Sequence, residues 1–288
     1  MVDADRRNTF FNISTIIILA LIVRVLFFSG FALGDDPNYA DDARTILDGS
    51  YPPLCDLCVF SFRPVLLYAI STSLKWLGWS EFNFVLPILL SSLISIYLIY
   101  RLAELLFDRH TGLLAALLLT VYPLDVVHAT TMSNDIMLSV LVALSMLLLL
   151  KGFKGSGWGA ALCFAAAGAV LGIATGVKIN VIPIIGLFVL ILLYCAWKAE
   201  RFNRGSMLFL ISWAIIQIVF SVTYYLKTGD FLAHIHAELI FNKKFNPSGF
   251  ISTASSLKDA LLYYPQYMLC LKAEGHPDLR RILMPVDW

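Results

Sequence analysis

Residues 64–78, Pro64-Val65-Leu66-Leu67-Tyr68-Ala69-Ile70-Ser71-Thr72-Ser73-Leu74-Lys75-Trp76-Leu77-Gly78, decide how this chain is laid out. The run is apolar but short, carries Lys75, ends in Trp76 and is followed by Trp79. Whether it crosses a bilayer or lies in the interface sets the side of every loop after it. A bilayer is the setting because the 288 residues are 59% hydrophobic and only 14% charged, with a mean hydropathy of +0.79. Soluble domains carry about 25% charged residues. A chain this apolar reads as a polytopic, all-α transmembrane helix bundle.

Seven runs, 13–33, 82–100, 112–128, 136–150, 158–176, 179–197 and 207–226, each approach the ~20 residues a helix needs to cross. The first follows Arg6 and Arg7 and is longer than a signal-peptide core, so it is expected to be a retained span. If 64–78 does not cross, the cytoplasmic segments hold Arg6, Arg7, Arg101, Arg109, Lys151, Lys154, Lys198, Arg201 and Arg204. Apart from Lys75 in the segment itself, the outer loops before residue 227 then hold Arg44, Arg63 and Lys178. If it does cross, the bias reverses. The positive-inside rule therefore predicts an interfacial 64–78, a cytoplasmic N-terminus and a single membrane domain over 1–288. Its outer loop is 34–81 and its outer C-terminal segment 227–288, with an amphipathic stretch near 257–271.

This layout gathers Asp35, Asp36, Arg63, Asp125, His128, Asp135 and Lys178 at the non-cytoplasmic face. Ionisable groups at membrane depth are costly and mark functional sites. Asp36 followed by Pro37 predicts a helix start, an N-cap acid and then proline. Tyr39, Ala43, Ile46 and Leu47 fall on one face, and Gly49 stops a short surface helix over 37–48. Capping alone accounts for Asp36 but not for Asp35 beside it. Asp135, in Ser133-Asn134-Asp135, has the same two readings, cap or site. Asp125 follows Tyr122-Pro123 and has a turn role open to it. Arg63 and Lys178 suit a lipid phosphate or simple snorkelling. Arg24, inside the first span, needs a partner.

Net charge +1 and the lack of a basic run exclude a nucleic-acid partner. Cys55-Asp56-Leu57-Cys58 has no second pair, so it does not read as zinc; in an oxidising space a disulfide is the alternative to incidental thiols. His234-Ile235-His236 holds its imidazoles well apart on a helix and does not read as a metal site.

Asp35-Asp36-Pro37-Asn38-Tyr39-Ala40 with Arg44 resembles the Asp-Glu-x-x-Tyr-Ala…Arg pattern in the first outer loop of GT-C glycosyltransferases. Within that group the likeness is to the bacterial aminoarabinose transferase of lipid A and to the protein O-mannosyltransferases. Further landmarks match in order: Phe62-Arg63-Pro64-Val65-Leu66, Tyr122-Pro123, Asp135, and Gly172-Ile173-Ala174-Thr175-Gly176-Val177-Lys178. The familiar Asp-Glu is Asp-Asp here, and Lys-Pro-Pro is Arg-Pro-Val; both keep the charge. The resemblance runs from about residue 15 to 245. Full members carry more spans, so the chain reads as their N-terminal portion.

What the resemblance implies is transfer of a sugar from a polyprenyl-phosphate donor to a lipid, glycan or protein acceptor, among membrane lipids, at the outer face of the cell membrane. It places the catalytic carboxylates at Asp35, Asp36 and Asp135, and lipid-phosphate binding at Arg63, Lys178 and Tyr39. It leaves a divalent metal cation open; if one is held, Asp35 and Asp135 supply oxygen ligands. Two readings compete. One is a transporter or flippase, which would favour inverted repeats and a midplane site. The other is an inactive assembly subunit derived from such an enzyme.

Overall fold

The computed structural model describes residues 2–31, 35–52, 59–198 and 204–245. Cys55, Cys58 and the stretch 257–271 lie outside them. The chain divides into a unit Met1–His236 and a unit Ala237–Trp288. The described residues form eleven α-helices and two short 3-10 turns, with no strand among them. The helices are α1 (Val2–Leu26), α2 (Asp36–Leu47), α3 (Pro64–Leu77), α4 (Glu81–Leu106), α5 (Arg109–Val121), α6 (Pro123–Ala129), α7 (Asn134–Lys154), α8 (Gly157–Thr175), α9 (Ile182–Lys198), α10 (Arg204–Thr228) and α11 (Ala233–Phe245).

Each of the seven apolar runs falls on helix, but not all of them have spanning length. α4, α7, α8 and α10 are long and apolar enough to cross, and the α5–α6 pair makes a fifth if counted as one bent span. Three of the seven runs differ from a single straight helix of spanning length. The first run continues to residue 33, yet its helix stops at Leu26, leaving a shorter apolar helix Ile13–Leu26. Beyond it the chain packs its aromatics on α4, Phe28 against Phe82 and Phe31 against Phe84. Gly30, at φ +78, donates its N–H to the Thr130 carbonyl at 2.9 Å. The run 112–128 bends by 64° at Tyr122–Pro123. A residue before proline is pushed out of helical geometry, and Tyr122 is extended at φ −67, ψ 115. The run 179–197 opens with a 3-10 turn, so its apolar helix is only Ile182–Cys195. Fourteen residues rise about 21 Å, against a hydrocarbon core of about 30 Å.

α3 has the same limit of length and an amphipathic distribution. Leu66, Leu67, Ile70 and Leu74 are buried, while Tyr68, Lys75, Trp76 and Leu77 are exposed. Proline opens it, and Gly78, at φ +87, ends it. Arg44 lies over the Trp79 ring, 5.3 Å from its centroid, as a cation–π contact.

Packing follows the small residues. α8 and α10 approach so closely that a Cβ at Gly168 would stand 2.1 Å from the Phe209 carbonyl oxygen. Close backbone approach at glycine is how apolar helices associate where lipid is as apolar as leucine. Along the same seam Gln217 of α10 donates to the Gly172 carbonyl at 3.2 Å and to the Thr175 hydroxyl at 2.8 Å.

At one end of the bundle, contacts tie together the end of α1, α2, and the starts of α3, α4 and α7. They also bring in α6 and the ends of α8 and α10. The Val65 N–H donates to the Gly176 carbonyl at 3.1 Å, and Phe62 packs edge-on against Tyr224 with centroids 5.2 Å apart. The opposite end carries the α7–α8 turn and the start of α10.

Candidate functional site at the common helix ends

α2 is the element that carries acids to this end. Its N-cap is Asp35, one residue earlier than expected, and Asp36 is the first helical residue, with Pro37 after it. Asp35 is exposed and makes no capping hydrogen bond with its side chain. Asp36, Tyr39, Asp42 and Ala43 are buried. Their spacing of three or four residues puts them on one helix face. Asp36 therefore does not serve as the cap; it belongs to the packed face. Gly49, at φ +76, follows the helix end as expected.

Tyr39 is the centre of the site. Its ring is 1% exposed and meets Phe60 edge-on at 5.4 Å. Its hydroxyl accepts hydrogen bonds from the Arg63 guanidinium and from Asn134 Nδ2 at 3.1 Å. Arg63 also lies over two rings, 5.5 Å from the Tyr39 centroid and 5.1 Å from that of Phe60. A guanidinium held between aromatic rings and a tyrosine hydroxyl is pre-organised to meet a phosphate. Asn134 is adjacent to Asp135, whose carboxylate pairs with Lys178 Nζ at 2.7 Å. That pair is open to water on the Asp135 side, which is 62% exposed. An ion pair of this kind contributes about 0–1 kcal/mol to stability.

A second polar group sits behind α2. The Ser61 hydroxyl donates to Asp42 Oδ1 at 2.8 Å, and the Tyr51 hydroxyl donates to the Ser61 carbonyl. Burial raises the Asp42 carboxyl above its ordinary range; the Ser61 bond opposes this and Asp41 adds to it. Burial likewise raises the Tyr51 phenol. The raised acid stabilises the fold fully below the unfolded carboxylate pKa, and that contribution is lost as pH rises through the folded value. Asp42→Asn, which can still accept from Ser61, is therefore expected to raise the thermal midpoint at pH 7. The gain should disappear below the ordinary carboxylate range. Thermal unfolding in detergent at the two pH values checks this.

Between α2, α3 and α10 lies an apolar groove of about 640 Å³. Ile46, Pro64, Val65, Tyr68, Val219 and Phe220 line it, and Lys227 is the one charged residue among the described lining. It begins at the residue after Arg63. Further along, Asp125 is paired with Arg24 at 2.6 Å rather than ending a helix in a turn. Asp230 Oδ2 meets His236 Nδ1 at 2.6 Å, while the His234 ring tilts against Tyr224 with centroids 5.5 Å apart.

The structure thus brings Tyr39 and Arg63 together, and Asp135 and Lys178 together. Asp36 shares the buried face of α2 with Tyr39, whereas Asp35 stands at the exposed mouth of the helix. Asn134, Asp42 and Ser61 belong to these clusters and were not singled out in the sequence. The only signal for Asn134 was its place beside Asp135. Among the described residues no three His, Cys, Asp or Glu side chains gather as a cation would require, and Asp135 is already held by Lys178.

No curated protein matches this chain. A family model does, that of the dolichyl-phosphate-mannose-protein mannosyltransferases, over residues 62–225. The matched region contains Arg63, Asn134, Asp135 and Lys178; Asp35, Asp36 and Tyr39 precede it. The match takes in more than half of the 288 residues. With its helical bundle and the ordered set of Arg63, Asp135 and Lys178 at one end, the chain belongs to the dolichyl-phosphate-mannose-protein mannosyltransferase family and is a membrane glycosyltransferase of the GT-C type.

Proposed function

We propose that the chain moves a sugar from a polyprenyl-phosphate donor to an acceptor hydroxyl at the non-cytoplasmic face of the cell membrane. The observation that carries this is the placement of Arg63. It is locked on Tyr39, on the face of α2 that also buries Asp36, and the apolar groove begins at the next residue. A cation carried on the residue next to an apolar groove suits a phosphate with a prenyl tail.

The chemistry then distributes as follows. The acceptor oxygen bonds to the anomeric carbon while the bond from that carbon to the phosphate oxygen breaks. The proton leaving the acceptor goes to a carboxylate, a role for which Asp35 is accessible. The lipid phosphate departs with its charge, and Arg63 and Lys178 stabilise it as that charge develops. Asp36 and Asp135 hold the two cations and the acceptor in register, and Tyr39 fixes the guanidinium. The acceptor is a lipid, glycan or protein. The positive-inside count places the N-terminus in the cytoplasm. On this reading α1 and α9 complete a seven-pass bundle as short spans, which a bilayer accommodates by local thinning.

Sugar transfer from a radiolabelled polyprenyl-phosphate sugar, in membranes holding the chain, tests this. The parent should transfer, and Asp35→Asn should be about 10²- to 10⁴-fold slower, the range for loss of a general base. Equal transfer by both would remove Asp35 from the reaction.

A further inference from the structure

We propose a second binding site, for the phosphate head group of an anionic phospholipid, at the end of the bundle opposite the transfer site. A cleft of about 580 Å³ opens there, where α7 ends and α8 and α10 begin. Gly152, Ser156, Gly157, Phe164 and Arg204 line it, with Trp158 at its rim. Phe164 is its floor: a Cβ at Gly205 would stand 2.4 Å from that ring, and one at Gly152 2.9 Å. The two glycines thus let α7 and α10 close onto that ring, which sets the depth of the cleft.

Four features give the cleft a preference for an anion. Arg204 lines it and is exposed. Lys151 and Lys154 stand on the last turn of α7 beside it, both exposed, with Lys154 tied to the Leu105 carbonyl at 2.7 Å. None of the described lining residues is acidic. The first turn of α8 opens here, and Ser156 does not cap it with its side chain. Uncapped N–H groups at a helix start attract negative charge.

A lipid suits the place better than free phosphate does. The first two turns of α8 and α10 expose Trp158 at 87%, Leu162 at 67%, Met207 at 52% and Ile211 at 51%. That surface is apolar and begins at the cleft. Basic pockets between membrane helices bind anionic head groups in this way, and a tryptophan at the rim suits the interface.

The test uses the full chain in nanodiscs of phosphatidylcholine containing a rising fraction of brominated phosphatidylglycerol, which quenches tryptophan on contact. The Trp158 signal is the difference between the parent and Trp158→Phe. It should saturate at a low fraction of the anionic lipid, and brominated phosphatidylcholine should not reproduce it. Arg204→Gln should move the midpoint about fivefold higher, the effect of one cation near a membrane surface. Ala161→Phe, which fills the cleft and keeps every charge, should abolish the saturable part. Size-exclusion profiles identify variants that fail to fold. Equal quenching by the two lipids overturns the proposal, as does a saturable signal that neither variant alters. Displacement of the brominated lipid by millimolar inorganic phosphate would also overturn it, by making the cleft a free-phosphate site.

Discussion

Asp125→Leu is expected to destabilise the bundle by about 3–5 kcal/mol, the range for removing one partner of a buried ion pair. Arg24 is fully buried, and Asp125 is 11% exposed. Its guanidinium donates to Asp125 Oδ2 at 2.6 Å, Ser92 Oγ at 2.8 Å, the Ala20 carbonyl at 3.3 Å and the Thr120 carbonyl at 3.4 Å. Ser92 also bonds Asp125 at 3.2 Å. One charge therefore ties α1, α4, α5 and α6 together. Leucine at 125 keeps the branched shape of aspartate, though bulkier, and leaves the guanidinium without a counter-ion. The same substitution paired with Arg24→Met removes both charges. It should recover most of the loss, because an apolar pair of similar volume replaces a buried ion pair at little cost. Unfolding midpoints in mixed micelles for the two single variants and the double variant measure this. A double variant as unstable as Asp125→Leu alone would show that Asp125 acts through something other than Arg24.

The second large effect is expected on turnover. Arg63→Met should slow sugar transfer about 10²- to 10³-fold, the loss typical of one preorganised group that stabilises developing negative charge. Arg63→Lys should restore only part of it. Lysine keeps the charge but lacks the planar guanidinium that meets the Tyr39 and Phe60 rings and can offer two parallel donors to a phosphate. Transfer rates at saturating donor, set beside an unchanged unfolding midpoint, separate this from misfolding. Full activity in Arg63→Met would take the guanidinium out of the reaction.

Much of this arrangement was legible in the residues. Pro64, Gly78 and the tryptophans at 76 and 79 marked α3 as a short amphipathic helix, and its burial pattern has that form. Asp36-Pro37 and Gly49 bracketed α2 to within a residue, because proline and glycine act locally. Arg24 announced that it needed a partner, but nothing local could name Asp125, which is 101 residues away. The end of α1 was hidden because residues 27–33 are as apolar as the helix before them; past Leu26 it is Phe28 and Phe31 that pack on α4. The contact between Tyr39 and Asn134 was hidden for a similar reason. It depends on α2 settling onto the start of α7, which hydrophobic periodicity does not specify.

The measurement that tests the account most directly is the position of the donor. A polyprenyl phosphate with a photoactivatable group in its first isoprene units should crosslink, on irradiation in membranes, to Tyr68, Val219 or Thr223 of the groove beside Arg63, and crosslinking should fall in Arg63→Met. Crosslinks confined to helices away from α3 and α10, and unchanged by Arg63→Met, would contradict the account.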